Sequence, residues 1–470
     1  MGDMQRSQTI STQDLGKVGR SNLNPGRESM KDKSKEQVPT LVRESSLQRI
    51  RELATKDPGM VFTSVAHKID LDMLARSFKK IRKSKAAGVD KKTAKGYAGN
   101  LDENLYNLYQ RLRRGQYVAQ PVKRVWIEKE GGKKRPIGIP ALEDKIVQKA
   151  AETILSTIFE VNFYDFSYGF RTGYSAHMAI KDLWQSCQTM KINWILDADV
   201  SGYFDNIDHY QLVEFIKRRV NDGGLIRLIG KWLNAGVMEE GVRSYPEKGT
   251  PQGGVISPVL ANIFLHYVLD EWFVKEVAPR MEGRCFLIRF ADDFVIGFES
   301  EVDAKKVMEV LPKRFSRFKL TIHPEKTKMV DFRKPFKRKE RGNNERTFEF
   351  LGFTHYWGKS RKGRFVVKRK TIGKRMCRFI KSIWQWCRRN RHKPLEEQYR
   401  DLSHKLRGYY QYYGIIGNYD VLKTVRWLTK RAWRYWLSRR SNKGRMSWDK
   451  FEKSILRRLE LPRPRIYHSV

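Results

Sequence analysis

Only four of the 470 residues are cysteine, and none of them (Cys187, Cys285, Cys377, Cys387) stands in a CxxC pair. That argues against a disulfide framework or a zinc module and suits a reducing cytosol. The nine histidines have neither HxxxH nor HxH spacing, so core and surface roles outweigh metal ligation. No apolar run approaches the ~20 residues needed to span a bilayer. No opening segment joins a basic start to a long apolar core, as a secretion signal would. Residues 1–46 lack any aromatic side chain and are rich in Ser, Gln, Lys, Arg and Gly, which predicts a mobile tail. Acid is scarce too: 52 Asp and Glu stand against 94 Lys and Arg, a formal charge of +42. Such an excess repels itself unless it meets a polyanion, and nucleic acid is the obvious one.

What is present is a globular chain, 40% hydrophobic and long enough for two or three domains. From about Leu47 the apolar spacing is helical. "NLDENLYNLYQRLRRGQY" reads as an amphipathic helix ended by Gly115. "PVKRVWIEKEGGKKRPIGIP" reads as a hairpin with a basic turn at Gly131–Gly132. "NWILDADVSGYFD" is a buried strand leading into a helix, and "GTPQGGVISPVLANIFLHYVLDEWF" is a Gly/Pro loop followed by a long apolar helix. From Trp357 onward the chain carries 33 Lys and Arg against 7 Asp and Glu, an excess of 26, together with six further tryptophans. Its periodicity predicts a separate, basic, helical domain.

The chemistry concentrates in the acids. "CFLIRFADDFVIGFES" is apolar except for Asp292 and Asp293, which a hairpin places at or near its tip. Two adjacent carboxylates repel each other and resist burial, and a divalent cation would offset both costs. A solvated acidic turn is the alternative. "WILDADVSGYFDNIDH" adds Asp197, Asp199 and Asp205, with Asp199 at a strand end. One carboxylate there and a pair on a neighbouring hairpin make a hard oxygen cage for Mg²⁺. Two such ions can clamp the attacking and leaving oxygens of a phosphoryl displacement.

The order of Asp199, the PQG loop and the ADD pair is that of a polymerase palm, and here the chain resembles the reverse transcriptase/maturases encoded by group II introns. The motifs that carry the resemblance are "SKAAGVD", "GGKKRPIGIPALEDKIVQ", "SYGFRTGYSAHMAI", "DADVSGYFDNIDH", "GTPQGGVISPVLANIFL", "RFADD", "LTIHPEKTK", "EFLGF", "LRGYYQYYG" and "LPRPRIYHS", over about residues 60–470. It implies an α+β right-hand polymerase. Residues 1–46 would be the tail, 47–190 an N-terminal extension and fingers, and 191–356 a palm with an antiparallel sheet. Residues 357–440 would form a helical thumb/maturase domain and 441–470 a basic DNA- and RNA-binding segment. Asp199, Asp292 and Asp293 would be the catalytic carboxylates and hold two Mg²⁺, with Mn²⁺ able to substitute. Lys129 and Arg135 would grip the nucleotide's triphosphate. Phe204 would pack under its sugar and exclude a 2′-OH, and Gln252 would touch it. Gly253 and Gly254 would let the backbone approach closely. Arg388, Arg389, Arg407, Tyr409, Tyr410, Arg431 and Arg434 would meet nucleic acid by phosphate contact or stacking. Phe290 departs from the Tyr usual in the family, losing a hydroxyl and keeping the ring.

The implied activity is RNA-templated DNA synthesis from dNTPs, with binding of intron RNA, help with its splicing, and copying into target DNA. A bacterial cytosolic, nucleoid-associated protein without a membrane partner is expected. No Cys-pair or HNH-like cluster follows Cys387, so the endonuclease of many relatives is expected to be lacking. A role in host repair or phage defence, a splicing cofactor with a silent polymerase, and an RNA-dependent RNA polymerase are the alternatives; the bulk of Phe204 disfavours the last. Asp205 suits helix capping better than metal binding. Lys326 suits either a primer contact or a plain surface position. "FRKPFKRKERGNNER" suits a solvated basic loop or an RNA contact.

Overall fold

A computed structural model describes residues 40–81, 86–128, 134–239, 242–245, 248–250, 253–335, 346–441 and 445–469. Lys129, Gln252, residues 1–39 of the expected tail and residues 336–345 of the basic run lie outside the described residues. The chain divides into two units, Met1–Glu44 and Ser45–Val470, and the second holds the sheets and the helical bundle.

Eleven strands are described in chain order: β1 (Val122–Glu128), β2 (Lys134–Ile139), β3 (Trp194–Asp199), β4 (Val237–Glu239), β5 (Val242–Ser244), β6 (Cys285–Phe290), β7 (Asp293–Phe298), β8 (Lys328–Asp331), β9 (Phe348–Phe350), β10 (Phe353–Lys359) and β11 (Phe365–Thr371). They form three sheets, ordered β2-β1-β4-β5, β6-β7-β3-β8 and β11-β10-β9. The β1–β2 hairpin is antiparallel with Glu128 opposite Lys134. Its sheet also takes in β4, which runs parallel to β1. Strands from beyond residue 191 thus complete a sheet that starts within the span assigned to the fingers.

The central sheet β6-β7-β3-β8 is antiparallel throughout. Its apolar strands follow from coverage on both faces, which removes the polar alternation of a half-solvated sheet. Leu196, Phe294, Ile296 and Phe298 point into one core. Helix Glu301–Ser316 joins that core through Ala304, Val307, Leu311 and Phe315. On the opposite face, Ile195, Phe286, Ile288 and Val295 meet Ala179, Leu183 and Cys187 of helix Ala176–Thr189. The period of two places Asp197 and Asp199 on the face of Ile195, at the strand's end.

Arg289 lies on the other face of β6 and is fully buried. Its guanidinium forms a two-pronged ion pair with Asp270, with Nε 2.7 Å from Oδ1. Asp270 comes from a wide π turn, His266–Asp270, that continues helix Ser257–Leu265. The remaining Arg289 nitrogen donates to the Asn262 side chain (3.1 Å) and to the carbonyl of Ala291 (3.0 Å). Ser167 runs beside Arg289 as an added bridge: the Arg289 amide donates to Phe166 and the Tyr168 amide donates to Arg289, both at 2.9 Å.

Beyond the sheets, helices Gly373–Asn390, Leu395–Tyr413 and Tyr419–Leu437 pack around Ile383, Leu402, Leu406, Leu422, Val425 and Trp433. The Trp433 indole donates to Gln398 at 2.9 Å. The architecture is therefore mixed α/β with a β-sheet core followed by a helical region. No helix among the described residues is long and apolar enough to cross a membrane.

Asp270→Ala should lower stability by about 3–5 kcal/mol, the usual cost of stranding one partner of a buried ion pair. Urea unfolding measures it. A loss under about 1 kcal/mol would show that Arg289 has another adequate partner.

Candidate active site

The hairpin joining β6 to β7 turns on two residues, Ala291 and Asp292, with Phe290 opposite Asp293. Asp292 is thus at the tip, and Asp293 opens β7. Ala291 has φ +60°, the left-handed backbone that a tight hairpin wants at its first turn position and that glycine usually supplies. An alanine is held there by its surroundings. The Arg289 guanidinium fixes its carbonyl, and Gly169 lies against it so closely that a Cβ on Gly169 would come within 2.3 Å of the Ala291 nitrogen. The Asn262 side chain, itself held by Arg289, donates to the Gly169 carbonyl at 2.6 Å.

The β3–β7 register sets Asp199 directly opposite Asp293. A cross-strand pair of like charges is unfavourable, and the electrostatics register it. Burial, then Asp292 and Asp199, push the Asp293 carboxyl up to about 7, against the opposing effects of Arg375 and an amide hydrogen bond from Leu351. Solvent still reaches the Asp293 side chain, although protein surrounds it on most sides. Asp197 is likewise pushed up to about 7 by burial, Asp293 and Asp199. Lys326 donates to Asp199 at 2.6 Å. Both side chains are substantially exposed, so this pair adds little stability.

Asp199, Asp292 and Asp293 are hard oxygen donors on adjoining strands and the turn between them, a set that suits Mg²⁺. Among the described residues no three His, Cys, Asp or Glu side chains converge as a ready-made metal cage. The donor set nonetheless fits a divalent cation: Asp292 and Asp199 raise the proton affinity of Asp293, Asp293 and Asp199 raise that of Asp197, and Lys326 already supplies positive charge beside Asp199.

Phe204 lies in the short helix Tyr203–Asn206, is 8% exposed, and accepts at its carbonyl from the Thr250 amide at 2.7 Å. Gly253 has φ +110°, and a Cβ there would meet the Gly138 carbonyl of β2 at 2.5 Å. Its lack of a side chain thus serves close packing between the PQG loop and the β1–β2 hairpin. Arg135 lies on the exposed part of β2, opposite Ile127. Asp205 sits inside the short helix, and the cap of helix His209–Lys217 is Asp208, which accepts from the Gln211 amide. Capping therefore belongs to Asp208.

In the helical region Arg388, Arg389, Arg407 and Arg431 are exposed. Tyr409 and Tyr410 are buried at 6% and 1% exposure. Tyr409 packs on Phe379 and Tyr413, so neither ring can stack on a base while the bundle stays closed. Arg434 donates to the Met446 carbonyl and lies over Trp448, a brace rather than an open cation. The C-terminal segment is also largely engaged: the Leu461 and Pro462 carbonyls accept from Arg426, and the Tyr467 and His468 amides donate to Gly414.

Sequence reasoning missed one link. Leu351, at φ +47°, donates its amide to Asp293. Its own carbonyl accepts from the Tyr412 hydroxyl at 2.8 Å. The Tyr412 carbonyl bonds to His177, whose ring stacks on His468 at 3.5 Å. The motifs "EFLGF", "YYQYYG", "SAHMAI" and "RIYHS" thus converge, over long sequence separations that no local pattern records.

The chain matches two family models: "Reverse transcriptase (RNA-dependent DNA polymerase)" over residues 127–355 and "Group II intron, maturase-specific domain" over residues 376–453. It is similar to the "Group II intron-encoded protein LtrA" of Lactococcus lactis, with 36% identity over 234 residues, 49% of this chain and 38% of that protein. It is 34% identical to "Protein YkfC" of Escherichia coli over 46% of this chain and 65% of that protein. It is 28% identical to the "Putative COX1/OXI3 intron 2 protein" of Saccharomyces cerevisiae over 61% of this chain and 31% of that protein. The chain thus spans less than two thirds of the length of each of these relatives.

The raised carboxyls set a pH dependence. In the unfolded chain an Asp titrates near 3.9, and in the fold Asp293 and Asp197 titrate near 7. Between those values the folded state binds more protons, so stability without divalent metal should fall as pH rises from about 4 to about 7. Asp293→Asn should flatten that fall, read as melting temperature against pH in EDTA. An unchanged profile would show that Asp293 ionises freely.

Proposed function

Because the chain belongs to the group II intron-encoded reverse transcriptase/maturases, we propose that it is an RNA-directed DNA polymerase that also binds its intron RNA, assists splicing and copies the intron into target DNA. What supports the reading most is the juxtaposition of Asp199 with Asp293 beside the Asp292 turn. A sheet end that crowds acids against their own repulsion has a use when a cation joins them.

In this reading Asp199, Asp292 and Asp293 would hold two Mg²⁺, which when bound would supply charge stabilisation for a phosphoryl transfer. The protein supplies position. Leu351 fixes the Asp293 carboxylate through its amide, and Lys326 brings positive charge beside Asp199. Arg135, with Lys129, receives the triphosphate of the incoming dNTP, and Gln252 touches the nucleotide. Phe204 packs under the sugar. Its buried ring, held in the short helix by tertiary contacts, yields little room for a 2′-OH. Gly253 keeps the PQG loop seated on β2.

The exposed cations Arg388, Arg389, Arg407 and Arg431 meet the phosphates of template–primer and intron RNA. We place the protein in the bacterial cytosol, associated with the nucleoid, where template RNA, dNTPs and target DNA coincide.

Replacing both Asp292 and Asp293 by Ala should abolish cDNA synthesis. Losing a two-metal site removes several kcal/mol of charge stabilisation, and each ~1.4 kcal/mol is tenfold in rate. RNA binding and protein-assisted splicing should persist in the same preparation. Retained cDNA synthesis would reduce the pair to an acidic turn. Separately, Phe204→Ala should admit ribonucleotides. The ratio of rNTP to dNTP incorporation measures this, and an unaltered ratio would remove Phe204 from the gate.

A further inference from the structure

The hairpin joining β9 to β10 closes on two residues, Leu351 and Gly352, between the paired Phe350 and Phe353. Both have positive φ, +47° and +85°, as the primed turn of a tight hairpin requires, and Asn or Gly usually fills the first of the two positions. A bulky leucine there is an outlier, and such strain persists only where the surroundings impose it. The surroundings that impose it belong to the helical region. The Tyr412 hydroxyl, near the end of helix Leu395–Tyr413, donates to the Leu351 carbonyl at 2.8 Å. The Ile372 amide, just before helix Gly373–Asn390, donates to the Gly352 carbonyl at 3.1 Å. A Cβ on Gly352 would stand 3.2 Å from the Tyr413 hydroxyl and 3.5 Å from Cδ of Arg375. Both carbonyls of the turn are thus held by the helical region, and the Leu351 amide donates to Asp293.

Tyr412 is itself fixed at three points. Its ring stacks on Phe353 with centroids 5.9 Å apart. Its carbonyl accepts from Nε2 of His177, on the helix that covers the central sheet, at 2.7 Å. Its hydroxyl holds Leu351. A phenylalanine would fill the same space, so what the tyrosine adds is the bond to the strained turn. That bond matters because of what lies beyond it. Asp293 stands opposite Asp199 across the strands, and two like charges so placed turn apart unless their oxygens are fixed. An amide on a turn that is held from outside fixes one of them.

We infer that Tyr412 is a positioning residue: by holding the Leu351–Gly352 turn, its hydroxyl sets the direction in which the Asp293 carboxylate presents its oxygens to a divalent cation, so that the cation site is complete only with the helical region seated. The inference rests on the polymerase reading and adds to it the residue through which the helical region governs the carboxylates.

The test uses the full chain with Tyr412→Phe. The ring contacts remain, and water can reach the half-buried Leu351 carbonyl, so folding is not at risk. Hydrogen exchange in EDTA, well below the melting temperature, should show the Leu351 amide exchanging about fivefold faster, the worth of one net hydrogen bond. Mn²⁺ binding to the chain alone, followed by electron paramagnetic resonance, should weaken by a similar factor. In primer extension kcat should fall while the KM for dNTP stays the same, and a higher Mg²⁺ concentration should restore part of the lost kcat. A merely structural tie would lower the melting temperature and leave the exchange and the Mn²⁺ affinity unchanged, and that result would overturn the inference. A raised KM for dNTP with kcat unchanged would overturn it as well. Exchange and Mn²⁺ binding need no extension of a primer, so failure of the wild-type protein to extend one would count against the polymerase reading alone.

Discussion

The guanidinium of Arg289, buried without solvent contact, is the constraint on which the site depends. A charge in that position is tolerable only when it is paired and its remaining donors are satisfied. Asp270 provides the pairing, and Asn262 and the Ala291 carbonyl take the remaining donor. Each partner belongs to a different part of the chain. Satisfying one side chain therefore ties the π turn, the long apolar helix, the SYGF segment and the β6–β7 turn into one geometry. The strained Ala291 backbone is held by that network, and with it the position of Asp292 and Asp293.

Around that anchor the protein holds acids that oppose one another. Asp199 and Asp293 face each other across two strands, and Asp197 lies two residues behind on the same face. A stable sheet on its own would favour neutral residues there. The cost is carried by two covered faces of aliphatic and aromatic packing and is offset locally by Lys326, Arg375 and the Leu351 amide. Such a site is built around positive charge and suits chemistry on phosphates.

The helical region does more than add cations. Through Tyr412 and Leu351 it reaches the amide that holds Asp293, and through His177 and His468 it is tied to the helix covering the central sheet. Movement of the bundle against the sheet would be felt at the Asp293 carboxylate. The C-terminal segment serves partly as a strap in this arrangement, because the Tyr467 and His468 amides and the Leu461 and Pro462 carbonyls are committed to the bundle.

The sequence by itself determined the fold class, the acids and the charge. Apolar runs broken by single carboxylates, a basic hairpin and a +42 balance are local or compositional signals, and they survive without coordinates. The β3–β7 register was half legible: an alternating strand says which residues share a face, not which residue of the partner they meet. Only the tertiary structure decided that Tyr409 and Tyr410 are core, since aromatic density reads the same whether rings pack on each other or on bases. Only it moved the helix cap from Asp205 to Asp208, because a cap depends on where the chain turns. It also assigned Gly253 a close approach to β2 and assembled the link from His468 to Asp293 out of segments scattered between His177 and His468. Those outcomes rest on contacts between distant segments, which side-chain identity permits and packing alone selects.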